Sequence, residues 1–406
     1  MRLLLIASII LMTLWPVPLW AATYYASNAA TNGFSVGNDG NACTTLGSPC
    51  LTIGGCLGKQ SAGDTCEIND GIYAEHVSAI VSSTSYATAT QLKGYLGVSS
   101  SVVVKPNASC SRALTFSNER YLIISDLIFD GANCGFDAGK TDSGSDHIRF
   151  IRVVFRNAAT QGLLLSLSSF IECLDCRAHN NGTHTNLHHG FYIGDSDNNL
   201  LSGGESDHNA SMGVTIASGT PQGNIVERMR LHDNTYGYGP ANESGNTGRN
   251  NLIYSNTSHG ITAISNLGEN FYNNSIYGNG GCGIFSDTDS TSNGNFKNNI
   301  VFGNGTNLCI GGSGHTLTTN LTTDPSWVNA AGGDFTLQAG SDAINTGTDL
   351  SGEGFADDYI GTSRPQNGTW DIGAVEFVSV GGSAHMGRRL QGIHGMRLLR
   401  HGRSGW

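Results

Sequence analysis

Asn251-Leu252-Ile253-Tyr254-Ser255-Asn256-Thr257-Ser258-His259-Gly260-Ile261 is the stretch of sequence that decides the fold. A short apolar run ends at a turn marked by Asn, and a Gly then introduces a second apolar run. The same order recurs around Ile276-Tyr277-Gly278-Asn279 and Val301-Phe302-Gly303-Asn304. Runs of three or four apolar residues between Asn/Gly turns are typical of short strands and leave no room for a helix.

The repeat extends over the middle of the chain. Turn asparagines recur at intervals of 22 to 29 residues, which is the length of one solenoid coil, at positions 157, 180, 209, 234, 256, 279 and 304. Stacked coils pair equivalent strands at ~4.8 Å, and the turn amides can then hydrogen-bond along the stack. The sequence therefore predicts an all-β fold, a right-handed parallel β-helix of roughly 10 coils.

The composition agrees with such a solenoid. The chain has 406 residues, with 56 Gly, 8 Pro and only 13% charged residues. Low charge argues against disorder, and abundant Gly argues against a long helical protein. Scarce Pro and the lack of a three-residue Gly period exclude collagen. In a parallel β-helix, Gly and Asn serve the turns and a thin apolar core needs few charges.

The repeat resembles that of the pectate-lyase-like superfamily of right-handed parallel β-helices. Two further stretches carry the resemblance: the segment from Tyr24 to Glu75 resembles the start of secreted bacterial β-helix proteins, and Leu337–Asn345 with Arg364-Pro365-Gln366 and Asp371–Glu376 resembles the choice-of-anchor Q module. The resemblance implies an N-terminal cap at 23–75, a β-helix at 76–330 and a C-terminal module at 331–377. It does not fix the chemistry, because one fold hosts many functions.

The termini and the charge predict a secreted protein. Residues 1–22 read as a signal peptide, with Arg2 before an apolar core and Ala21-Ala22 at its end. Residues 378–406 carry five Arg and no acid, and we expect a disordered tail there. Residues 1–377 then hold 32 acids against 16 bases, which argues against nucleic-acid binding. We expect a monomer that is secreted, periplasmic or at the cell surface, with no membrane contact beyond the signal or an anchor.

Ten cysteines behind a signal sequence favour disulfides. Four of them fall between Cys43 and Cys66, which predicts a cross-linked N-terminal region. Cys173 and Cys176 form a CxxC, but no second CxxC at zinc spacing accompanies it. The connectivity stays open at this stage.

The repeat changes character in its middle coils. Aligned on the turn asparagines, the position before the Asn reads Arg156, His179, His208 and Asp233, where other coils carry small or uncharged residues. The same coils hold an insertion between Asn180 and Gly190, and such loops often wall a groove. We therefore predict a functional site here, although a solvated polar stack is the alternative interpretation.

The resemblance to polysaccharide lyases suggests roles for these residues. Proton removal beside a uronate carboxylate needs a base and a group that neutralises the carboxylate. Arg156 or Arg177 would neutralise the carboxylate, His179 or His208 would act as the base, and Tyr192 or His189 would protonate the leaving oxygen. Asp233 completes the predicted catalytic set. The predicted substrate-binding residues are His184, His188, His232 and Arg230, and Arg230 should align with Glu205 across adjacent coils.

A calcium ion is the one cofactor we consider. Asp195, Asp197, Glu205 and Asp207 supply the oxygen ligands that Ca²⁺ prefers, although each taken alone is an ordinary turn residue. Two functions stay open. The first is an enzyme that cleaves an acidic extracellular polysaccharide by β-elimination in a groove along the helix. The second is a non-catalytic, glycan-binding surface adhesin, and a hydrolase of glycosidic or small ester or lactone bonds ranks below both.

Overall fold

The computed structural model describes residues 21–108, 110–241, 245–264, 268–287, 293–366 and 368–379. The predicted signal sequence, apart from its last two residues, and nearly all of the predicted basic tail lie outside these ranges. Within them the chain forms a right-handed parallel β-helix of about ten turns, which confirms the predicted fold. Each full coil contributes one strand to each of three parallel sheets, which we number in the order in which a coil visits them.

Sheet 1 has twelve strands in the described residues, which are Thr23–Ala26, Thr65–Ile68, Thr90–Gly94, Arg120–Ser125, Asp146–Ile151, Glu172–Leu174, Leu200–Ser202, Ile225–Glu227, Thr247–Arg249, Asn270–Tyr272, Asn295–Lys297 and Thr316–Thr318. Sheet 2 has ten, which are Gly71–Tyr73, Val102–Val104, Leu127–Asp130, Val154–Arg156, Arg177–His179, Glu205–Asp207, Arg230–His232, Leu252–Tyr254, Ser275–Tyr277 and Ile300–Phe302. Sheet 3 also has ten, which are Val77–Ser78, Leu114–Ser117, Gly139–Asp142, Leu163–Ser166, Phe191–Gly194, Met212–Ile216, Tyr236–Pro240, Ile261–Ala263, Cys282–Ser286 and Thr306–Ile310.

The elements outside the three sheets are short. One α-helix, Ile53–Leu57, lies near the N-terminal end, where the carboxylate of Glu75 accepts hydrogen bonds from the Ile53 and Gly54 amides. An antiparallel hairpin, Trp327–Asn329 with Asp334–Leu337, follows the last coil. The 3₁₀ turns are Tyr86–Thr88, Gly97–Ser99, Ala330–Gly332 and Ser351–Glu353. Among the described residues there is no helix with the length and apolarity that a membrane span requires.

The turn between sheets 2 and 3 contains the predicted asparagine ladder. Asn181, Asn209 and Asn234 are successive members. The side-chain oxygens of Asn209 and Asn234 each accept hydrogen bonds from the backbone N–H and the side-chain amide of the Asn one coil earlier, at 2.9–3.2 Å. The ladder continues through Asn256 and Asn279 to Asn304. Since buried polar groups need partners, these amides satisfy the backbone of a turn that is shielded from water.

Five disulfides pair all ten cysteines. Cys43–Cys50 and Cys56–Cys66 cross-link the N-terminal region as predicted, and Cys173 bonds with Cys176. The remaining bonds are Cys110–Cys134 and Cys282–Cys309. Disulfides at this density are consistent with an oxidising compartment.

The residues after the last coil fold back onto the helix, and we call residues 327–377 the C-terminal block. Trp327, Phe335 and Leu337 of the block form one apolar cluster with Leu252, Tyr254 and Ile300 of sheet 2. Inside the block the guanidinium of Arg364 donates a hydrogen bond of 2.6 Å to Glu376, and both side chains are fully buried. The block therefore covers one part of the outer face of sheet 2 and leaves the rest open.

Candidate functional site

The outer face of sheet 2 carries two columns of side chains, because each strand presents two outward positions on either side of one inward position. The first column, in chain order, is Ile72, Val103, Ile128, Val154, Arg177, Glu205, Arg230, Leu252, Ser275 and Ile300. The second column is Asp130, Arg156, His179, Asp207, His232, Tyr254, Tyr277 and Phe302. Charged residues and histidines fill both columns over neighbouring coils.

This register corrects the predicted column of Arg156, His179, His208 and Asp233 at its middle step, because Arg156 pairs with His179 as predicted but His208 is not the next member. His179 pairs with Asp207, and Asp207 pairs with His232. His208 and Asp233 stand one residue later, at left-handed turn positions with φ of 54° and 53°. The true ladder residue of the second coil is Asn181 rather than Asn180, and Ala158 holds its place in the first.

We name the polar part of the two columns the polar ribbon, which consists of Asp130, Arg156, Arg177, His179, Glu205, Asp207, Arg230 and His232. Ion pairs bind its members to one another. Arg177 holds Asp207 through two hydrogen bonds of 2.8 and 2.7 Å and lies 3.3 Å from Glu205. Arg156 donates to Asp130 at 2.9 Å. Arg177, Glu205, Asp207, Arg230 and His232 are therefore linked in one network, beside the separate pair of Arg156 and Asp130.

The Arg177–Asp207 pair orients an imidazole. Nδ1 of His208 lies 2.8 Å from the same carboxylate, and the His208 side chain is 59% exposed. Burial disfavours the Asp207 carboxylate, but the hydrogen bonds from Arg177 outweigh it and hold the pKa of Asp207 below its usual value. Because that carboxylate is ionised, it accepts a hydrogen bond from the Nδ1–H group of His208. The Nε2 lone pair then points away from the carboxylate, as in a general base that is oriented by an acidic residue.

The pKa values of the two histidines inside the ribbon shift in opposite directions. Burial, together with the positive charge of Arg177 and Arg156, lowers the pKa of His179 to about 4, so its ring is neutral. Burial would also lower the pKa of His232, but Glu205 at 2.6 Å and Asp233 at 2.7 Å outweigh it and raise that pKa. The two carboxylates thereby favour the protonated form of the His232 ring.

Arg230 differs from the other two arginines of the ribbon. It aligns with Glu205 as predicted, yet its Nε stays 4.0 Å from that carboxylate. Its guanidinium donates hydrogen bonds to the neutral phenol of Tyr254 instead. Arg156 and Arg177 are committed to Asp130 and Asp207. Of the three ribbon arginines, Arg230 is thus the one that lies farthest from a carboxylate.

Several predicted site residues lie away from the ribbon. Tyr192 pairs with Leu164 and Thr215 on sheet 3, as expected, and its hydroxyl contacts Ser218 at 2.6 Å. His189 precedes the same strand and is buried, and burial lowers its pKa to about 4. Tyr192 lies in sheet 3 and His189 lies two residues before its strand begins, so neither residue is on sheet 2.

The inserted loop folds on itself. The Nδ1 atom of His188 accepts hydrogen bonds from the backbone amides of Thr183 and His184 at 3.0 and 3.1 Å. The rings of His184 and His188 lie 5.8 Å apart. Because the loop leaves the turn directly after His179 and Asn180, it stands beside the second column of the ribbon.

The four carboxylates proposed for calcium do not form one cluster. Glu205 and Asp207 are engaged by His232 and Arg177 on sheet 2. Asp195 and Asp197 lie in the turn that follows sheet 3, where Asp197 accepts a hydrogen bond from the Gln222 amide. Across the described part of the chain, no group of three or more potential metal ligands lies close enough to hold an ion. These residues do not fit the predicted calcium site.

Two residues of the site, Asp130 and Tyr254, are not predicted from the sequence. Asp130, the partner of Arg156, lies in a coil that lacks the turn asparagine, and Tyr254 was taken only as an apolar member of the repeat. The hydroxyl of Tyr254 accepts from Arg230, and its ring stacks on His232 with the ring centres 4.7 Å apart. An alignment of strands, rather than of turns, would have found both.

Comparisons with known proteins agree with the fold. A family model described as right handed beta helix region matches residues 183–323. Among solved structures, pectate lyase Pel9A superposes with a TM-score of 0.71 at 15% identity, covering 88% of this chain and 98% of that one. A rhamnogalacturonan lyase gives 0.62 at 15% identity, covering 76% and 91%. The complex of XylC with xylose gives 0.54 at 10% identity, covering 88% and 98%. No curated protein matches the sequence.

Proposed function

We propose that this chain is a secreted carbohydrate-active β-helix protein that cleaves an acidic polysaccharide by β-elimination on the polar ribbon. The observation that carries the proposal is the exposed His208 imidazole, oriented by Asp207 and Arg177. The fold shared with a pectate lyase and a rhamnogalacturonan lyase supports it as an analogy. The five disulfides support secretion.

The proposed chemistry assigns one role to each group. Nε2 of His208 takes the proton from the carbon next to a uronate carboxylate, and the electron pair forms the new C=C bond as the C–O bond to the leaving sugar breaks. Arg230 faces the uronate carboxylate and stabilises the charge that develops on it. Water protonates the leaving oxygen, since Tyr192 lies on sheet 3 and His189 lies just before the same strand.

The test is a screen of purified protein against polygalacturonate, rhamnogalacturonan and alginate, with ultraviolet absorbance of unsaturated uronides as the readout. We expect His208→Ala to lower the rate by about 10²–10⁴-fold, the usual contribution of a general base. His76→Ala, which removes an exposed histidine near the N-terminal helix, is the matched control and should keep the wild-type rate. Full activity in His208→Ala, and in the His179→Ala, His208→Ala double variant, would contradict the assignment.

A second candidate function is glycan binding without cleavage. The observation that favours it is the internal pairing of the ribbon, in which Arg156, Arg177 and His232 all contact carboxylates. Binding to one of the polysaccharides without any unsaturated product would support this second function. A parallel assay with a chelator tests the calcium prediction, because a calcium-dependent reaction stops when the ion is removed.

A further inference from the structure

The polar ribbon ends abruptly at its C-terminal side. In the first column Arg177, Glu205 and Arg230 have side chains that are 28%, 26% and 33% exposed. The next three members, Leu252, Ser275 and Ile300, are 3%, 1% and 1% exposed. The change occurs between neighbouring strands, which lie only ~4.8 Å apart. A ligand lying along the ribbon therefore meets a wall immediately after Arg230.

The wall is the hairpin of the C-terminal block. The ring of Phe335 contacts Tyr254, with the ring centres 5.2 Å apart, and Trp327 contacts Tyr277 at 5.6 Å. Gly333 forms the tip that faces the ribbon. A Cβ at this position would lie 3.0 Å from Nη2 of Arg230 and 3.3 Å from the Tyr254 hydroxyl.

Electrostatic contacts fix the wall in place. Arg228, two residues before Arg230, forms an ion pair of 2.8 Å with Asp357 of the block. The Asn250 amide donates to the Asp357 carbonyl at 2.8 Å, and Asn273 donates to the carbonyls of Asp371 and Gly373. With this many contacts to successive coils, the block cannot swing aside without losing them together.

The opposite end of the ribbon is open. Toward the N-terminal end of sheet 2 the first column continues through Val154, which is 8% exposed, and the partly exposed Ile128 and Val103 to Ile72, which is 64% exposed. None of these four residues belongs to the apolar cluster that holds the C-terminal block. From Ile128 to Arg230 the first column crosses five strands, or roughly 19 Å at ~4.8 Å per spacing. The groove is thus closed at one end and open at the other.

We propose that the site takes the end of a glycan chain, with the terminal sugar against Arg230 and Gly333, and that it does not bind the interior of a polymer. This inference rests on the proposed function, because it places the glycan on the polar ribbon. Arg230 then recognises a carboxylate on the terminal residue, and Gly333 sets the space available to that residue. Gly333 is a specificity-determining residue in this arrangement.

The experiment measures binding of the full-length His208→Ala chain to polygalacturonate, compared with the same polymer partially depolymerised and supplied at equal uronate mass. Binding at chain ends predicts that bound protein at saturation rises in proportion to the number of ends. Bound protein that depends on uronate mass alone would overturn the inference and leave the proposed function intact. An absence of binding to intact and depolymerised preparations of polygalacturonate, rhamnogalacturonan and alginate alike would contradict the proposed function itself, and the inference with it.

A pair of glycine variants tests the role of Gly333. Gly333 has φ of +81°, and Asn tolerates this conformation better than most residues, so Gly333→Asn adds a side chain beside Arg230 at a modest backbone cost. The matched control is Gly340→Asn, since Gly340 has φ of +89° in the same block and open space around it. We expect Gly333→Asn to weaken binding of short oligomers about tenfold with a melting temperature near that of Gly340→Asn. Equal affinities for the two variants would overturn the assignment.

Discussion

The two halves of the outer face of sheet 2 share one backbone geometry and differ in what covers them. The polar ribbon runs up to Arg230 and His232, and the covered half begins one strand later with Leu252 and Tyr254. The strand pairing, the inward orientation of the middle residue of each strand and the asparagine ladder all continue across the boundary. The backbone repeat therefore does not determine function here. The outward side chains and the C-terminal block do, since one half is packed away and the other is left to meet a ligand.

The largest expected effect comes from destabilising the C-terminal block, which covers one half of the sheet. Arg364→Ala leaves the Glu376 carboxylate buried without its partner, since the two side chains are 0% and 1% exposed. Loss of one partner of a buried pair costs about 3–5 kcal/mol, and urea unfolding measures it. Lys297→Ala, which breaks a partly exposed pair with Glu353 at 3.6 Å, is the control and should cost about 0–1 kcal/mol. Similar costs for the two variants would show that the block does not depend on its buried ion pair.

A second prediction compares neighbours in the first column. Leu252→Ala removes a buried side chain that packs under the block, which should cost about 2–5 kcal/mol. Arg230→Met, one strand earlier, keeps the aliphatic stem of a partly exposed side chain and should cost about 1 kcal/mol or less. The same Arg230 variant should abolish binding of acidic oligomers, whereas Leu252→Ala should retain it while folded. Unfolding curves and binding isotherms on both variants give the answer, and the reverse pattern would contradict the division of the sheet.

The sequence predicted the solenoid better than it predicted the register of the site. Gly- and Asn-rich turns at coil-length intervals are sufficient for a parallel β-helix, because few other folds use them so regularly. The error of one residue arose where two adjacent positions both favour Asn. One of them, Asn180, has φ of 56° and needs a residue that tolerates the left-handed region, and the other, Asn181, needs an amide for the ladder. Only the strand pairing distinguishes the two positions, and it is a tertiary property.

The position of the C-terminal block was only partly predictable from the sequence. The sequence around Arg364 and Glu376 indicated a terminal module, but nothing in it indicated that the module packs on sheet 2 beside Arg230. That contact joins residues far apart in the chain, such as Arg228 and Asp357, which are 129 positions apart. The end of the groove, and with it the inferred choice of chain ends, follows from this long-range packing.

A smaller effect is expected at Glu269, which takes the place of an asparagine in a second ladder, formed by Asn199, Asn224 and Asn246 in the turn between sheets 3 and 1. Glu269 accepts hydrogen bonds from the amide and backbone of Asn246, and burial raises its pKa to about 7. A carboxyl group with a raised pKa in the folded state stabilises the fold below its unfolded pKa of about 4.5 and loses that contribution as pH rises through 7. Glu269→Gln should therefore be more stable than the wild type at pH 8, by up to about 3 kcal/mol, and the difference should shrink toward pH 4.5.

Urea unfolding across this pH range is the measurement for Glu269→Gln. The control is Glu353→Gln, which removes an exposed carboxylate and should follow the wild type closely. A difference between Glu269→Gln and the wild type that does not change with pH would mean that the buried carboxyl does not titrate as the ladder geometry requires.

The smallest effect belongs to the polar ribbon and has the opposite pH dependence. The pKa of His179 is lowered to about 4, mainly by burial. The unfolded chain therefore takes up a proton near pH 6.5, whereas the folded chain does so only near pH 4. Folding stability is then lost as pH falls from about 6.5 toward 4. His179→Gln removes this loss and should gain on the wild type over that interval, by about 1 kcal/mol or less because the ring is partly open to solvent. Melting temperatures at pH 4.5 and 7 test it. A variant that gains nothing at pH 4.5 would show that His179 is not held neutral between Arg156 and Arg177, and the ribbon would then be a solvated surface like any other.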